Sequence, residues 1–434
     1  MRIYMKTLGC RLNEAELESW SRGFQDHGHQ LTPELEQADI VIVNSCAVTA
    51  DAVRKSRKAV HRVQHKNPHA KLIVSGCYAS LDPETTAQEM GVDLVIGNQD
   101  KDNLVAIVSE KLELKSMPQL ATEPGESPLL ARGRQRAFVK VQDGCRYNCT
   151  FCIVTQARGE ERSRPMGEVA EEINRLHTEG VQEVVLTGVH LGGYGSDLNS
   201  NLTELIQHLL KHTSIPRLRL GAIEPWDLPE EFWSLFDNPC LLPHLHLPLQ
   251  SGSDSILRRM ARRCKRSEFT RLVARARSGI PNLNITTDII VGFPGEGEPE
   301  WRESIEFIQQ IGFGHLHIFA FSPRAGTLAA DMPGQVPRNV IQQRSQELHN
   351  LGIGMKRDTL QQNLGHTYQV LIECREQDPD PGKDRPVWSG YTPNFLRIAL
   401  PYTAGEQLDN QIVTARLEAI SVDNATLLGT IIKE

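Results

Sequence analysis

The chain has 434 residues, a length that suits about three domains, with 23% charged residues, a net charge of −7 and a pI near 6.1. This balance excludes a protein that coats nucleic acid by bulk charge, so any polyanion site must be a local patch. The nine cysteines are odd in number and fit a disulfide framework poorly. Residues 1–7 lack the apolar core of a secretory leader. Apolar runs such as 40–43 fall far short of the ~20 residues that span a bilayer. The expected setting is a reducing cytoplasm with no membrane partner, where clustered cysteines serve as metal ligands or catalysts.

In residues 1–115, β-rich runs at 3–7, 40–44, 71–75 and 94–96 alternate with amphipathic stretches of helical length. This alternation predicts an open parallel α/β sheet. Cys10, Cys46 and Cys77 each follow one of the first three runs. In such a sheet all strand C-termini share one edge, where ligands of open α/β folds bind. Three thiolates gathered there suit an iron–sulfur cluster with one open iron; the alternative is three unrelated core cysteines. Residues 116–136 carry Pro118, Pro124, Gly125, Pro128 and Gly133 without periodicity and read as a linker.

Six further strands are expected between 137 and 364, at about 138–142, 183–187, 217–221, 244–247, 285–291 and 315–320, with helices between them. They predict a partial (β/α)6 barrel whose chemistry sits at the strand C-termini. Directly after the first comes Cys145-Arg-Tyr-Asn-Cys149-Thr-Phe-Cys152. No fourth Cys or His follows at the spacing of a closed zinc site, whereas three thiolates leave one iron of a 4Fe-4S cube open. A c-type haem is excluded because Ile153, not His, follows Cys152. After the second strand, Gly188, Gly192 and Gly193 allow a ligand close to the backbone. Glu224, after the third, is placed to meet a ribose or amino group or to sit solvated in a loop. Cys240 and Cys264 have no partner spacing.

Between 258 and 277 stand nine basic residues (Arg258, Arg259, Arg262, Arg263, Lys265, Arg266, Arg271, Arg275 and Arg277) against Glu268, a local charge of +8. This stretch is expected to bind phosphates, with Arg262, Arg263 and Lys265 as contacts. Arg54, Lys55, Arg57, Lys58, Arg62 and Lys66 form a second basic stretch beside Cys46. Residues 365–434 predict a small antiparallel β-barrel of the oligonucleotide-binding kind. From 366 onward six basic residues face ten acidic ones, net −4. Such a module makes few phosphate contacts. It would stack bases on Trp388, Tyr391 or Phe395, or simply pack on the larger barrel.

The spacing of Cys145, Cys149 and Cys152, with Phe151 before the last, resembles the radical S-adenosylmethionine signature. Thr7-Leu-Gly-Cys10, Asn44-Ser-Cys46-Ala-Val-Thr49, Lys55-Ser-Arg57 and Gly76-Cys77-Tyr-Ala79 resemble the N-terminal domain of the methylthiotransferases. The segments 246–254, 288–295 and 321–326 match the same family, so the resemblance covers essentially the whole chain. It implies two 4Fe-4S clusters. The one on Cys145, Cys149 and Cys152 would cleave S-adenosylmethionine to a 5′-deoxyadenosyl radical, and the one on Cys10, Cys46 and Cys77 would deliver sulfur. A second S-adenosylmethionine would supply the methyl group. Gly188, Gly192, Gly193, Glu224 and Ser251 would line the S-adenosylmethionine and substrate space, and residues 365–434 would be a TRAM domain. An electron donor such as flavodoxin or ferredoxin and a monomeric state are also implied.

Substrates in the family are tRNA carrying threonylcarbamoyladenosine or isopentenyladenosine, or an aspartate of a ribosomal protein. Residues 44–49, 76–79 and 157–164 most resemble the threonylcarbamoyl branch, and the basic stretches favour RNA. That substituent ends in a carboxylate, which Arg158, Arg162 or Arg164 would grip; an isopentenyl pocket would be apolar. The alternative of a different class is a non-enzymatic RNA-binding protein held by two zinc sites.

Overall fold

The computed structural model describes residues 1–89, 91–114, 135–226 and 228–432. The expected linker lies almost wholly outside them. Near the N-terminus, β1 (Arg2–Thr7), β2 (Gln30–Leu31), β3 (Ile40–Ser45), β4 (Lys71–Gly76) and β5 (Leu94–Ile96) form one parallel sheet in the order β2-β1-β3-β4-β5. β3 is buried at every position. Ile40 and Ile42 pack with Trp20 and Phe24 of helix Arg11–Asp26, while Val41 and Val43 pack with Val60 and Val63 of helix Ala50–Lys66. Helices on both faces explain why this strand is an unbroken apolar run. The two-residue β2 is too short to leave a period in the sequence.

Next come β6 (Arg136–Lys140), a ribbon of β7 (Gln142–Asp143) with β8 (Arg162–Ser163), β9 (Glu183–Thr187) and β10 (Arg217–Leu220), followed by β11 (His244–His246), β12 (Asn284–Val291) and β13 (His315–Ala320). The sheets β10-β9-β6 and β11-β12-β13 are parallel and meet through bridges Leu218↔Leu241 and Ala222↔His246. The six strands therefore make an open, curved wall with outer helices, as the β/α alternation predicts. Helix Arg11–Asp26 of the first unit packs on the wall: Ala15 meets Phe138 and Val185, and the Arg11 guanidinium lies 5.0 Å over the Phe138 ring.

β14 (Thr367–Gln377), β15 (Pro386–Tyr391), β16 (Arg397–Pro401), β17 (Ile412–Ile420) and β18 (Leu427–Ile431) pair in the ring β14-β15-β16-β18-β17 and back to β14. Only the β16–β18 pair is parallel. β15 is not foreshadowed in the sequence, since Pro386, Ser389 and Gly390 obscure its alternation. This ring docks on the central wall through buried charges. Arg217 donates to Gln369 O (2.9 Å) and Tyr391 O (3.2 Å), Arg219 donates to Pro393 O (3.0 Å), and both arginines share the carboxylate of Glu183. Phe395 lies 4.6 Å from the Arg219 guanidinium and stacks on Tyr391, which in turn lies under Arg136 at 4.6 Å. Trp388 is 3% exposed, inside the ring. The expectation that these three aromatics stack RNA bases is corrected: Tyr391 and Phe395 fill the junction with the wall, and Trp388 fills the ring's own core.

Candidate functional site: two thiol triads

Parallel register fixes the first triad. Thr7 lies beside Asn44, Asn44 beside Ser75, and Ser45 beside Gly76, so the chain leaves all three strands at one edge. Cys10 caps helix Arg11–Asp26, Cys46 follows β3, and Cys77 opens helix Cys77–Leu81. Two of these turns require glycine. Gly9 has φ +99°, and a Cβ there would stand 2.6 Å from Cys46 Sγ; Gly76 has φ +94°, and its Cβ would meet Ser45 O at 2.3 Å. The Cys46 N–H donates to Ser56 Oγ (3.0 Å). Cys46 and Cys77 are buried, Cys10 reaches the surface, and all three are free thiols. Burial pushes the Cys46 thiol up to about 11.

Behind this triad lies a charged core. The Arg158 guanidinium, 2% exposed, donates to Glu16 (3.0 Å), Asp143 (2.9 Å) and Asn13 Oδ1 (2.7 Å). The buried Lys101 Nζ is 2.6 Å from Glu16, and Lys140 reaches toward both carboxylates. Burial alone would raise Glu16, but Lys101, Arg158 and Lys140 hold it down to about 2. Asn13 also donates to Leu8 O (2.7 Å) and Ser45 O (3.2 Å), which ties this core to the turns that carry Cys10 and Cys46.

The second triad sits on a loop clamped at both ends. Gly144 has φ +74°, and a Cβ there would lie 1.8 Å from Glu160 O. Cys145 N–H donates to Gly159 O (3.1 Å), Cys152 N–H to Cys149 O (2.9 Å), and Thr150 Oγ1 to Arg259 O (2.9 Å). Burial pushes Cys145 up to about 11 and Cys152 up to about 12, so a metal centre must displace their protons to bind. Arg262 stands beside this loop, 3.9 Å from Cys149 Sγ and 4.4 Å over the Trp226 ring, donating to Glu224 (2.6 Å) and Pro248 O (2.5 Å). Tyr147 packs on His190 (4.7 Å) and Trp226 (5.6 Å), and His190 Nδ1 is 2.5 Å from Glu161. Among the described residues no group of three or more His, Cys, Asp or Glu gathers as a single metal ion would require. A 4Fe-4S cube takes each thiolate on a different iron, so the three thiols of a set need not converge on one point as they would around a single ion. A recess of about 670 Å³ between helix Arg338–Gln362 and Asn394 contains none of these thiols.

Several expected contacts are placed differently. Arg158 does not face a pocket, because its hydrogen bonds are taken by Glu16, Asp143 and Asn13. Arg164 donates to Glu172 (2.6 Å) and Lys140 O (2.9 Å). Arg162, 40% exposed, donates to the carbonyls of Arg158 and Glu160 at 3.3 and 3.4 Å and lies 3.9 Å from Asp143. Ser251, 2% exposed, lies 3.3 Å from Ser304 Oγ of helix Glu298–Ile311. Glu224 is held by Arg262. Gly188 and Gly193 are dictated by close protein neighbours: a Cβ would stand 2.8 Å from Gln142 Oε1 and 2.4 Å from His190 Nδ1 respectively. Gly192 lies in the turn Leu191–Gly193. Arg262 is no surface phosphate contact. Arg266 pairs with Glu303, Arg275 with Glu230, and Arg277 donates to Ile311 O (2.7 Å), so part of the +8 stretch is met within the protein, while Arg258, Arg259 and Arg271 are exposed. Arg263 and Lys265 are exposed. Reasoning from sequence missed the Glu16–Lys101–Asp143 core and the His190–Glu161 pair, whose members lie too far apart in the chain to form a motif.

Comparison with known proteins fits this geometry. Residues 139–308 match the radical SAM superfamily, and residues 2–97 match the uncharacterized protein family UPF0004. The radical S-adenosylmethionine methyltransferase TsrM of Kitasatospora setae, solved with cobalamin and a 4Fe-4S cluster, superposes with a TM-score of 0.56 over 76% of this chain and 77% of that one. Its identity is 14%, a likeness of fold alone. Open β/α wall and Cys145–Cys152 loop together define a radical SAM protein.

The threonylcarbamoyladenosine tRNA methylthiotransferase MtaB of Thermotoga maritima is 37% identical over 86% of both chains. The Bacillus subtilis protein of the same name is 32% identical over 96% of this chain and 93% of its own. A tRNA-2-methylthio-N(6)-dimethylallyladenosine synthase of Staphylococcus aureus is 30% identical over 99% of this chain and 85% of its own. The chain belongs to the MtaB-like radical SAM methylthiotransferase family.

Proposed function

We propose that this chain installs a methylthio group on C2 of N6-threonylcarbamoyladenosine in tRNA. One junction carries the reading. Helix Val154–Arg158, which leaves the second cysteine loop, packs on helix Cys77–Leu81, which begins with the last thiol of the first triad. Ala157 enters the N-terminal core, and its carbonyl accepts from Asn98 (2.6 Å). The two cysteine segments are thus tied to each other through these helices, as a reaction needs when one site generates a radical and another hands over sulfur.

Two 4Fe-4S clusters and S-adenosylmethionine supply the electron, radical and sulfur chemistry when bound. Cys145, Cys149 and Cys152 hold one cluster, and Cys10, Cys46 and Cys77 hold the other. Arg262 brings a positive charge to the Cys149 thiolate and fixes the Glu224 and Pro248 loops around it. Arg158 acts through Asn13 and Asp143 as a positioning residue that sets one triad against the other. Arg162, with its guanidinium partly exposed, is assigned the carboxylate of the threonylcarbamoyl group.

The C-terminal ring is a TRAM-type, OB-like module that braces the wall. Electrons come from a flavodoxin or ferredoxin. The protein works as a cytoplasmic monomer, and among the described residues no helix is long and apolar enough to cross a membrane. The test is methylthiolation of tRNA by purified protein with S-adenosylmethionine, comparing threonylcarbamoyladenosine with isopentenyladenosine. Equal or better activity on the second moves the chain to the other branch.

A further inference from the structure

We infer that the outer face of helix Ala50–Lys66 holds the phosphates of the RNA substrate and leads the strand to the first thiol triad. The inference rests on tRNA being the substrate. The helix carries Arg54, Lys55, Arg57, Lys58, Arg62 and Lys66 against a single acid, Asp51, for a net +5 in a chain of net −7. Its inner face is fixed by buried Ser56, Val60 and Val63. Lys55, Lys58, Arg62 and Lys66 recur at helical spacing on the opposite side, and all four are exposed.

Neutralisation here is slight. Arg54 and Lys55 share Asp51, at 2.5 and 2.8 Å, and Lys66 meets Glu36 at 2.6 Å, all with both partners well exposed. Such surface pairs are weak and give way to a polyanion. Among the described residues no acid stands within ion-pair distance of Lys58 or Arg62.

Placement gives the face its purpose. The helix is capped by Thr49, whose Oγ1 accepts from Ala52 N (3.1 Å), and Ser56 bonds Cys46. Arg57 donates to the hydroxyl of Tyr78, the residue after Cys77, at 2.9 Å. Ala50 N–H donates to Ser322 Oγ (3.4 Å), on a rim segment of the central wall. One end of the helix is therefore anchored at the turns of the first triad and at the wall's rim, and the rest runs away from them. Its 17 residues give a length of about 25 Å, enough to meet several phosphates at ~3.4 Å of rise per nucleotide.

The other basic surfaces are less well placed. Within 258–277, Arg262, Arg266 and Arg275 are paired with Glu224, Glu303 and Glu230 and Arg277 is held by backbone carbonyls, while Arg258, Arg259, Arg263, Lys265 and Arg271 are exposed; none of these bonds the turns of the first triad, as Ser56 and Arg57 of the helix do. Residues 366–434 carry a net −4. Contacts of this kind position the RNA without reading its sequence.

The test is tRNA affinity across a salt series for the full chain with intact clusters, against Lys58→Ala/Arg62→Ala and Lys58→Glu/Arg62→Glu. The alanine pair is expected to flatten the log–log salt slope by ~0.7–0.9 for each phosphate that is no longer neutralised, and the glutamate pair to weaken binding further, with iron and sulfide content unchanged. An Arg263→Ala/Lys265→Ala pair should flatten the slope less. An unchanged slope in the Lys58/Arg62 pair overturns the inference. So does unchanged tRNA affinity combined with slower reduction by a flavodoxin, which would give the face to an acidic electron-donor protein. If the unsubstituted protein binds no tRNA, the substrate reading falls, and this assignment with it.

Discussion

Arg158→Met keeps most of the side-chain volume but removes the charge that joins the two triads, and it separates a structural role for this arginine from a substrate-binding one. Arg158 makes three short hydrogen bonds in a site from which solvent is excluded, two of them to carboxylates. Deleting one partner of a buried ion pair costs ~3–5 kcal/mol. Lys101 still faces Glu16 at 2.6 Å in the variant, which places the loss at the low end, about 3 kcal/mol. Linkage agrees in sign, with Arg158 taking only part of the shift at Glu16 and its bond to Asp143 adding to the loss. Glu16 is held at about 2, roughly two units below an unperturbed glutamate, and at ~1.4 kcal/mol per unit this is about 3 kcal/mol shared among its cations.

The sign follows from the lowered folded value. This stabilisation is present above the unfolded pKa and is lost as pH falls toward about 2. The variant should therefore unfold at higher pH on the acid side and melt roughly 6–12 °C lower at pH 7, taking ~2–4 °C per kcal/mol for units of this size. Calorimetry or circular dichroism of the parent and variant at pH 7 and pH 4.5 (about the unfolded carboxylate pKa) reads both effects. A variant that melts within a degree or two of the parent at both values, yet binds threonylcarbamoyl tRNA poorly, would refute the structural role and return Arg158 to the substrate.

Gly144→Ala, whose Cβ would stand 1.8 Å from Glu160 O, should unseat the second triad alone, so anaerobic iron should fall from about eight to about four per chain; full iron content would contradict the clamped loop. Cys149→Ala should abolish reductive cleavage of S-adenosylmethionine, whereas Cys46→Ala should cleave it and fail to thiolate. Equal loss of cleavage in both folded variants would overturn the division of labour. Arg262→Lys cannot keep its contacts with Glu224, Pro248 O and Cys149 at once. It should slow cleavage while leaving the salt slope of tRNA binding unchanged; a flattened slope would make Arg262 a phosphate contact after all.

Where a short-range period or a covalent spacing carries the information, the sequence is readable. The alternation of apolar runs and amphipathic stretches predicts both parallel sheets, and Cys145–Cys152 declares itself by spacing. Cys10, Cys46 and Cys77 become a set only because parallel strands end on one edge, a rule of topology that needs no coordinates. Side-chain direction within loops has no such rule. Ser251 and Arg262 lie in neighbouring rim segments, yet one meets Ser304 and the other lies beside Cys149. Charge runs mislead for the same reason. Within 258–277, Arg262, Arg266 and Arg275 read as phosphate contacts until Glu224, Glu303 and Glu230, all remote in sequence, are seen beside them, whereas Arg258, Arg259, Arg263, Lys265 and Arg271 stay exposed. Tyr391 and Phe395 likewise look like stacking platforms until Arg136 and Arg219 cover them.

If the two thiol triads together methylthiolate threonylcarbamoyladenosine, the product must be recoverable from the RNA itself. The decisive measurement is mass spectrometry of nucleosides from tRNA treated anaerobically with the cluster-loaded protein, a reductant and S-adenosylmethionine. The expected product is 2-methylthio-N6-threonylcarbamoyladenosine, formed with 5′-deoxyadenosine and absent with Cys46→Ala. Cleavage of S-adenosylmethionine without any methylthio nucleoside, or a methylthio group only on isopentenyladenosine, would contradict this chemistry.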